Sequence, residues 1–304
     1  MPETALITID WGTTSFRAWR ACREGTVLDE RHSPSGILSV KDEAFGDRFE
    51  ALLGDWLAAS PAAPVIASGM IASRTGWVEA PYAPLPAGNR ALAGLLRRHV
   101  TARGRVIYFV PGTACNPREG LPDVMRGEET EVMGYLAESD ETDAIIVLPG
   151  THSKWVVAEN GEITGFETFM TGELYAVLSD HSILGRLISK GHASPSAFRQ
   201  GVEVARSEGS ILGKLFSART QVLFDRLQPE EVPDYLSGLL IGEEVRTGIS
   251  RYGVGRPIAL IGRGDLAERY LVAFSIHGAS VRSTEPGMAR KGAFRIAQQA
   301  GLVA

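Results

Sequence analysis

Cysteine is nearly absent from this chain: only Cys22 and Cys115 occur in 304 residues. Two thiols cannot build a disulfide framework, so a reducing compartment, the cytoplasm, is expected. No apolar run approaches the roughly 18 residues needed to span a bilayer, which leaves no expected membrane partner. A signal-peptide pattern is also missing, since the chain enters a strand directly behind the acidic Glu3. Long basic runs are lacking, and a formal net charge of −5 argues against nucleic acid as a partner. An anionic small molecule would therefore have to be met by local cations. Low-complexity linkers are absent too, so a hinge must be built from ordered elements. What the chain does have is 44% hydrophobic content, enough apolar material for two cores in domains of about 150 residues each.

Three segments join a strand to a glycine turn. In the first, Ala5-Leu6-Ile7-Thr8-Ile9 runs into Asp10-Trp11-Gly12-Thr13-Thr14-Ser15 and then into a second strand, Phe16 to Cys22. Such a turn suits phosphate. Gly12 lets the backbone approach an anion, the N–H groups and the hydroxyls of Thr13, Thr14 and Ser15 donate to its oxygens, and Asp10 can hold a hydrated Mg²⁺ against them. A similar turn also closes ordinary hairpins. The pattern recurs where Ala144-Ile145-Ile146-Val147-Leu148 leads into Pro149-Gly150-Thr151-His152-Ser153-Lys154 and the strand Trp155 to Ala158, followed by an Asn160-Gly161 hairpin signal. Near the end, Pro257 to Ile261 meets Gly262-Arg263-Gly264-Asp265 and opens a helix, a junction suited to an adenine or ribose edge.

Periodicity places these segments in two similar halves. Strands are expected at 4–10, 16–22 and 26–31, then a helix from Asp42 to Ala58 whose Phe45, Phe49, Leu52, Leu53, Trp56 and Leu57 share one face. Strand 65–67, helix 90–100 and strand 106–110 follow, and a helix from Glu128 to Glu138 links the halves. The second half offers strands 144–148, 153–158 and 162–169, helices near 172–188, 196–206, 210–224 and 230–250, strand 257–261 and helix 265–275. A last helix, about Glu285 to Ala300, is expected to return to the first domain. The amphipathic stretch Pro229 to Tyr252 offers a homodimer face, although core packing explains its apolar positions equally well.

Taken in order, the three glycine junctions resemble the sugar kinase, actin and chaperone-ATPase superfamily. Longer motifs narrow the resemblance. Gly69-Met70-Ile71-Ala72-Ser73-Arg74-Thr75-Gly76-Trp77-Val78-Glu79-Ala80-Pro81-Tyr82, Pro122-Asp123-Val124-Met125-Arg126-Gly127-Glu128-Glu129-Thr130 and Pro149-Gly150-Thr151-His152-Ser153-Lys154-Trp155 look like the 2-dehydro-3-deoxygalactonokinase family. The resemblance covers almost the whole chain. It implies an α/β fold of two ribonuclease-H-like domains, 1–135 and 136–304, closing on ATP and Mg²⁺, and phosphorylation of a six-carbon 2-keto-3-deoxy acid at its 6-hydroxyl.

Phosphoryl transfer asks for a base, a metal, phosphate donors and a substrate clamp. Glu128, which follows the glycine where the superfamily's usual residue is Asp, and Asp123 are rival bases. First-turn acids such as Glu128, Glu129 and Glu131 also simply favour a helix dipole, and Asp123 also reads as a turn or cap residue. Asp10 is the metal candidate. Leu148-Pro149 stands where the superfamily carries a second acid, so His152 or Lys154 is expected to supply charge beside Gly150, Thr151 and Ser153. Gly262, Arg263 and Gly264 are the adenosine candidates. For the substrate carboxylate Arg74 comes first, then Arg17 and Arg126. Ser73, Trp77 and Tyr82 are candidate donors or ring faces, and they equally suit a surface loop packed on its own aromatics. Glu167 is expected to reach in from the second half. Other readings remain: a kinase for a related keto-deoxy or aldonic acid, a nucleotide-switch protein marked by slow hydrolysis without acceptor, or a sugar sensor.

Overall fold

The computed structural model describes residues 3–115, 120–189, 191–253, 255–262 and 264–303. They form two compact units, one from 1–142, 158–166 and 285–304, the other from 143–157 and 167–284.

The first unit opens with strands β1 (Leu6–Trp11), β2 (Phe16–Ala21) and β3 (Val27–Ser33), then helix α1 (Phe45–Ala59) and strand β4 (Val65–Ser68). Next come β5 (Tyr82–Pro84), α2 (Asn89–Gly94), β6 (Arg97–Val100), β7 (Val106–Phe109), β8 (Gly112–Cys115), β9 (Asp123–Met125) and helix α3 (Glu128–Glu138). One sheet runs β3-β2-β1-β4-β7-β6, with β1 central and every β1 residue buried. Helix α1 lays Phe45, Phe49, Leu53, Trp56 and Leu57 on that sheet, and the core closes around Trp11, Phe16 and Phe109. A small second sheet, β5-β8-β9, stands apart from it. Apolar alternation does not reveal its three-residue edge strands β5 and β9.

One expected element is replaced. The helix read over 90–100 stops at Gly94, and Arg97 to Val100 form an antiparallel edge strand against β7, with His99 paired to Ile107. Leu92 is the buried anchor of the short helix, whereas Arg97 and Arg98 lie on the exposed sheet edge where charge is tolerated.

The second sheet of five strands comes from β10 (Ala144–Leu148), β11 (Ser153–Glu159) and β12 (Glu162–Phe169). Helices α4 (Thr171–His181), α5 (Pro195–Arg206), α6 (Ile211–Lys214), α7 (Ser217–Leu223) and α8 (Val232–Tyr252) follow, then β13 (Ile258–Leu260), α9 (Gly264–Ile276), β14 (Val281–Ser283) and α10 (Met288–Gln299). Its strand order is β12-β11-β10-β13-β14. The expected 210–224 helix is two short pieces. Helix α8 places Val232, Leu236, Leu239, Ile241 and Val245 in the core of its own unit, so its apolar stripe is already covered.

Glycine sets the closest helix crossings. A Cβ at Gly134 of α3 would lie 2.0 Å from the Met288 carbonyl, and one at Gly292 of α10 would lie 1.8 Å from that of Thr130. Helix α10 therefore lies backbone to backbone on α3 within the first unit. In the second unit Gly201 and Gly238 do the same for α5 and α8, with clearances of 2.2 and 2.1 Å to opposing carbonyls. Among the described residues no helix is long and apolar enough to cross a membrane.

Candidate active site

The first site is built where β1 ends. Asp10 is registered between Arg17 of β2 and Ser68 of β4, and its carboxylate is ion-paired with the Arg17 guanidinium. Burial raises its pKa, against the pull of Arg17. Two glycines let other chain segments reach this carboxylate. Gly69, at φ +94, leaves a Cβ only 3.2 Å from Asp10 Oδ1, and Gly127, at φ +110, sits with its own Cβ position 3.1 Å from the Gly69 Cα. A side chain at Gly69 would collide with the end of β1, and one at Gly127 would push the start of α3 away from Gly69.

That closeness matters because α3 begins with Glu128, Glu129 and Glu131. Glu128 Oε2 accepts the Arg126 backbone N–H at 3.0 Å, and Glu129 accepts Gly127 N–H at 2.7 Å and the Thr130 hydroxyl at 2.9 Å. Glu131 is pushed up to about 8, first by burial and then by the negative charge of Asp10, with Arg17 opposing and Glu128 adding to the rise. Glu129, fully buried, is likewise pushed up to about 8 by burial and by Glu128. The structure thus gathers Asp10, Arg17, Glu128 and Glu131 into one electrostatic cluster. Asp123 lies elsewhere, on β9 opposite Cys115, and its carboxylate accepts the Val124 N–H at 2.7 Å.

Thr13 and Thr14 are exposed at the tip of the first hairpin, with Gly12 and Ser15 half-buried and closed by a 2.9 Å Gly12 N–H to Ser15 carbonyl bond. The next loop braces it from below. Ile37 N–H donates to the Gly12 carbonyl, Leu38 N–H to that of Thr13, and the Trp11 indole to the Ser35 carbonyl.

The second hairpin is organised differently. Gly150 is half-exposed, and Thr151 and His152 are exposed, His152 ion-paired with Glu173 of α4. Ser153 points inward: it is fully buried and donates to Glu244 of α8 at 2.6 Å. Glu244 Oε1 also accepts the Trp155 indole at 2.9 Å, while its Oε2 accepts the Thr171 hydroxyl and, at 2.6 Å, the Tyr270 hydroxyl. Burial raises the Glu244 pKa against these four donors, and it raises Tyr270 well above the usual phenol range. Lys154 is buried with Nζ donating to the His152 carbonyl at 3.3 Å.

Beside this hairpin a cavity of about 580 Å³ opens within the second unit, bordered by Gly150, Thr151, Gly172, Tyr175, Leu240 and Leu266. Gly172 can lie against the hairpin because it lacks a Cβ, which would meet the Gly150 carbonyl at 2.6 Å. Gly262 lies two residues beyond β13 and Gly264 starts α9, whose Asp265, Leu266, Arg269 and Tyr270 reach the same cavity. Arg263 lies outside the described residues.

The substrate candidates disperse. Arg74 is exposed, and Ser73 is buried with its hydroxyl 3.2 Å from that of Thr75. Trp77 packs into the core of the first unit, 5.6 Å from Phe49 and 6.0 Å from Phe109 between ring centroids. Arg126 is buried under the Tyr82 ring, with its guanidinium carbon 4.3 Å from the centroid. Glu167 is tied to Arg251 and to the Tyr252 hydroxyl. Sequence reading left Glu244 out. Its helical spacing from Leu240, Ile241 and Gly248 puts a carboxylate on an apolar stripe, and that was the available signal.

A family model described as 2-keto-3-deoxy-galactonokinase matches residues 10–296. A Rhizobium meliloti (strain 1021) protein, "Probable 2-dehydro-3-deoxygalactonokinase DgoK1", is 35% identical over 284 residues, 91% of each chain. The Escherichia coli (strain K12) "2-dehydro-3-deoxygalactonokinase" is 34% identical over 275 residues, 90% of this chain and 91% of its own. A Sinorhizobium meliloti protein crystallised under the assignment 2-dehydro-3-deoxygalactonokinase superposes with a TM-score of 0.88 at 33% identity, covering 96% of this chain and 98% of that one. The Clostridium difficile activator of 2-hydroxyisocaproyl-CoA dehydratase, solved with ADPNP, reaches a TM-score of 0.52 at 11% identity, covering 98% of this chain and 95% of its own, a likeness of fold alone.

Proposed function

The chain belongs to the 2-keto-3-deoxy-galactonokinase family, and on that premise we propose that it transfers the γ-phosphoryl group of ATP to the 6-hydroxyl of 2-dehydro-3-deoxy-D-galactonate. The observation that carries the site assignment is the acid cluster of Asp10, Glu128 and Glu131 at the mouth of the first phosphate hairpin. Glu128 is the base: it takes the 6-hydroxyl proton as the O6–Pγ bond forms and the bond from Pγ to the ADP oxygen breaks. Its carboxylate is held by the Arg126 backbone N–H, which leaves Asp123 in the role of a strand-end turn residue.

The carboxylate oxygens of Asp10, Glu128 and Glu131 are hard donors of the kind a divalent cation takes, with Arg17 as the one cation already on Asp10. Asp10 would hold Mg²⁺ through water, and the ion would offset charge on the β- and γ-phosphates. Arg17 orients Asp10 and partly offsets the rise in its pKa that burial causes.

The nucleoside belongs in the cavity of the second unit. A volume of about 580 Å³ suits a nucleoside, and Tyr175, Leu240 and Leu266 give it apolar walls. Gly150 and Thr151 lie at its border, placing phosphate donors next to the base pocket, and Gly262 approaches the same hairpin, its Cβ position 3.7 Å from Pro149. Both cysteines are free, in keeping with work in the cytoplasm.

The test is ADP release from Mg²⁺-ATP with the galactonate-derived keto-deoxy acid, its gluconate epimer, simple aldonates and hexoses. Turnover with the galacto acid, matched by a 6-phosphate product, is the expected result. ATP binding without turnover on any keto-deoxy acid would overturn the reading.

A further inference from the structure

Three arginines compete for the substrate carboxylate, and their surroundings separate them. Arg74 is exposed, so water already satisfies its guanidinium. Arg17 also has Nε and Nη1 buried without an acceptor, but its guanidinium is ion-paired with the Asp10 carboxylate, so an anion already neutralises it. Arg126 is 8% exposed, and its Nη2 donates to the Ala80 carbonyl at 2.8 Å, while Nε and Nη1 are buried with no acceptor among the described residues.

A buried guanidinium with two idle donors is costly, because the cation has lost its hydration and gained no anion. Nature tolerates such a group where a ligand completes it. Its surroundings are those of a small recognition surface. Tyr82 of β5 covers the guanidinium face and is itself 41% exposed. Gly112 of β8 makes room for that ring, since a Cβ there would lie 2.8 Å from it. Tyr82 and Arg126 share one face of the sheet across Gly112, whereas Thr113, registered between Ala83 and Met125, turns its buried hydroxyl to the other face. The β5-β8-β9 sheet thus presents a buried cation that lacks only an anion.

We infer that Arg126, stacked on Tyr82, is the carboxylate clamp for the keto-deoxy acid. This rests on the kinase reading and specifies how that substrate is told from neutral sugars. It also links recognition to chemistry, since the Arg126 backbone N–H holds Glu128: seating the carboxylate fixes the segment that carries the base.

The experiment compares the keto-deoxy acid with a 3-deoxyhexulose of the same configuration that carries a hydroxymethyl group in place of the carboxylate. Wild-type enzyme is expected to prefer the acid by about 100-fold in kcat/KM, the scale of a charged hydrogen-bond pair. Arg126→Gln is expected to lose that preference by lowering kcat/KM for the acid alone, with KM for ATP unchanged. Arg126→Lys keeps the charge without the planar donors, gives a second variant if the first does not fold, and is expected to lose part of the preference. Equal losses on both substrates would mean a structural role and overturn the clamp, as would loss of the preference in Arg74→Gln with Arg126→Gln unchanged. Absence of any wild-type turnover on the acid would instead defeat the kinase reading itself, and the clamp with it.

Discussion

The two glycine hairpins look alike in sequence and solve the problem of charge in opposite ways. The first keeps its carboxylate at the mouth, where Asp10 faces Arg17 and the acids that open α3. The second has Leu148-Pro149 at the matching place and receives a carboxylate from beneath: Glu244, 91 residues beyond Ser153, takes four neutral donors and no cation among the described residues. The first arrangement gathers the acids to which we assign the reacting hydroxyl and the metal. The second spends its carboxylate on shape, fastening β11, α4 and α9 around the cavity that we assign to the nucleoside. Similar hairpins can therefore carry different work, one chemical and one architectural.

If that division is right, substitutions at the two hairpins differ in kind. The largest effect is expected at the first: Glu128→Gln lowers kcat by about 10²- to 10⁴-fold while the melting temperature hardly moves, measured by ADP release and thermal unfolding. Retained turnover there with loss in Asp123→Asn would transfer the base to the strand end.

At the second hairpin Glu244→Ala orphans four buried donors and is expected to destabilise by about 3 kcal/mol or more in urea unfolding. Glu244→Gln should keep the fold, because the Thr171 and Tyr270 hydroxyls can turn to accept, and raise KM for ATP more than KM for the sugar acid. A drop in kcat alone would place Glu244 among the chemical groups and erase the contrast.

Stability against pH tests the α3 acids more gently. Folded Glu129 keeps its proton up to about pH 8, whereas the unfolded chain releases it near 4.5. Between those values folding takes up a proton, so stability falls as pH rises, by at most about 1.4 kcal/mol per pH unit from this group. Glu129→Gln is expected to flatten that slope in melting curves between pH 5 and pH 8, and an unchanged slope would show that the charge sits elsewhere. The smallest effect belongs to the exposed His152 and Glu173 pair: His152→Ala should cost under about 1 kcal/mol in the same assay.

The sequence was most readable where local rules are strong. The strand, glycine turn and strand of each hairpin are present as expected, as are α1, α3 and α8, because alternating or helical apolar spacing and turn glycines act over a few residues. Helix 90–100 misled because a leucine-rich start continued into Arg97 and Arg98, whose place on a sheet edge depends on β7. Asp10 and Glu128 were legible as motif acids. Arg126 was legible only as one arginine of three, since neither its burial nor its idle donors leave a trace in residue order.

What the sequence determined by itself is the family and the groups it can offer: two glycine turns in order, an acid at the first, acids opening α3, and arginines and lysines for an anionic substrate. Tertiary structure decided which of those groups meet. Gly69 and Gly127 admit α3 to Asp10, Glu244 arrives beneath Ser153 from a distant helix, and a three-stranded sheet buries Arg126 without an anion. Residue order fixes which groups exist and their local backbone. Desolvation, pairing and proton affinity arise only when packing removes water and brings residues distant in the chain into contact.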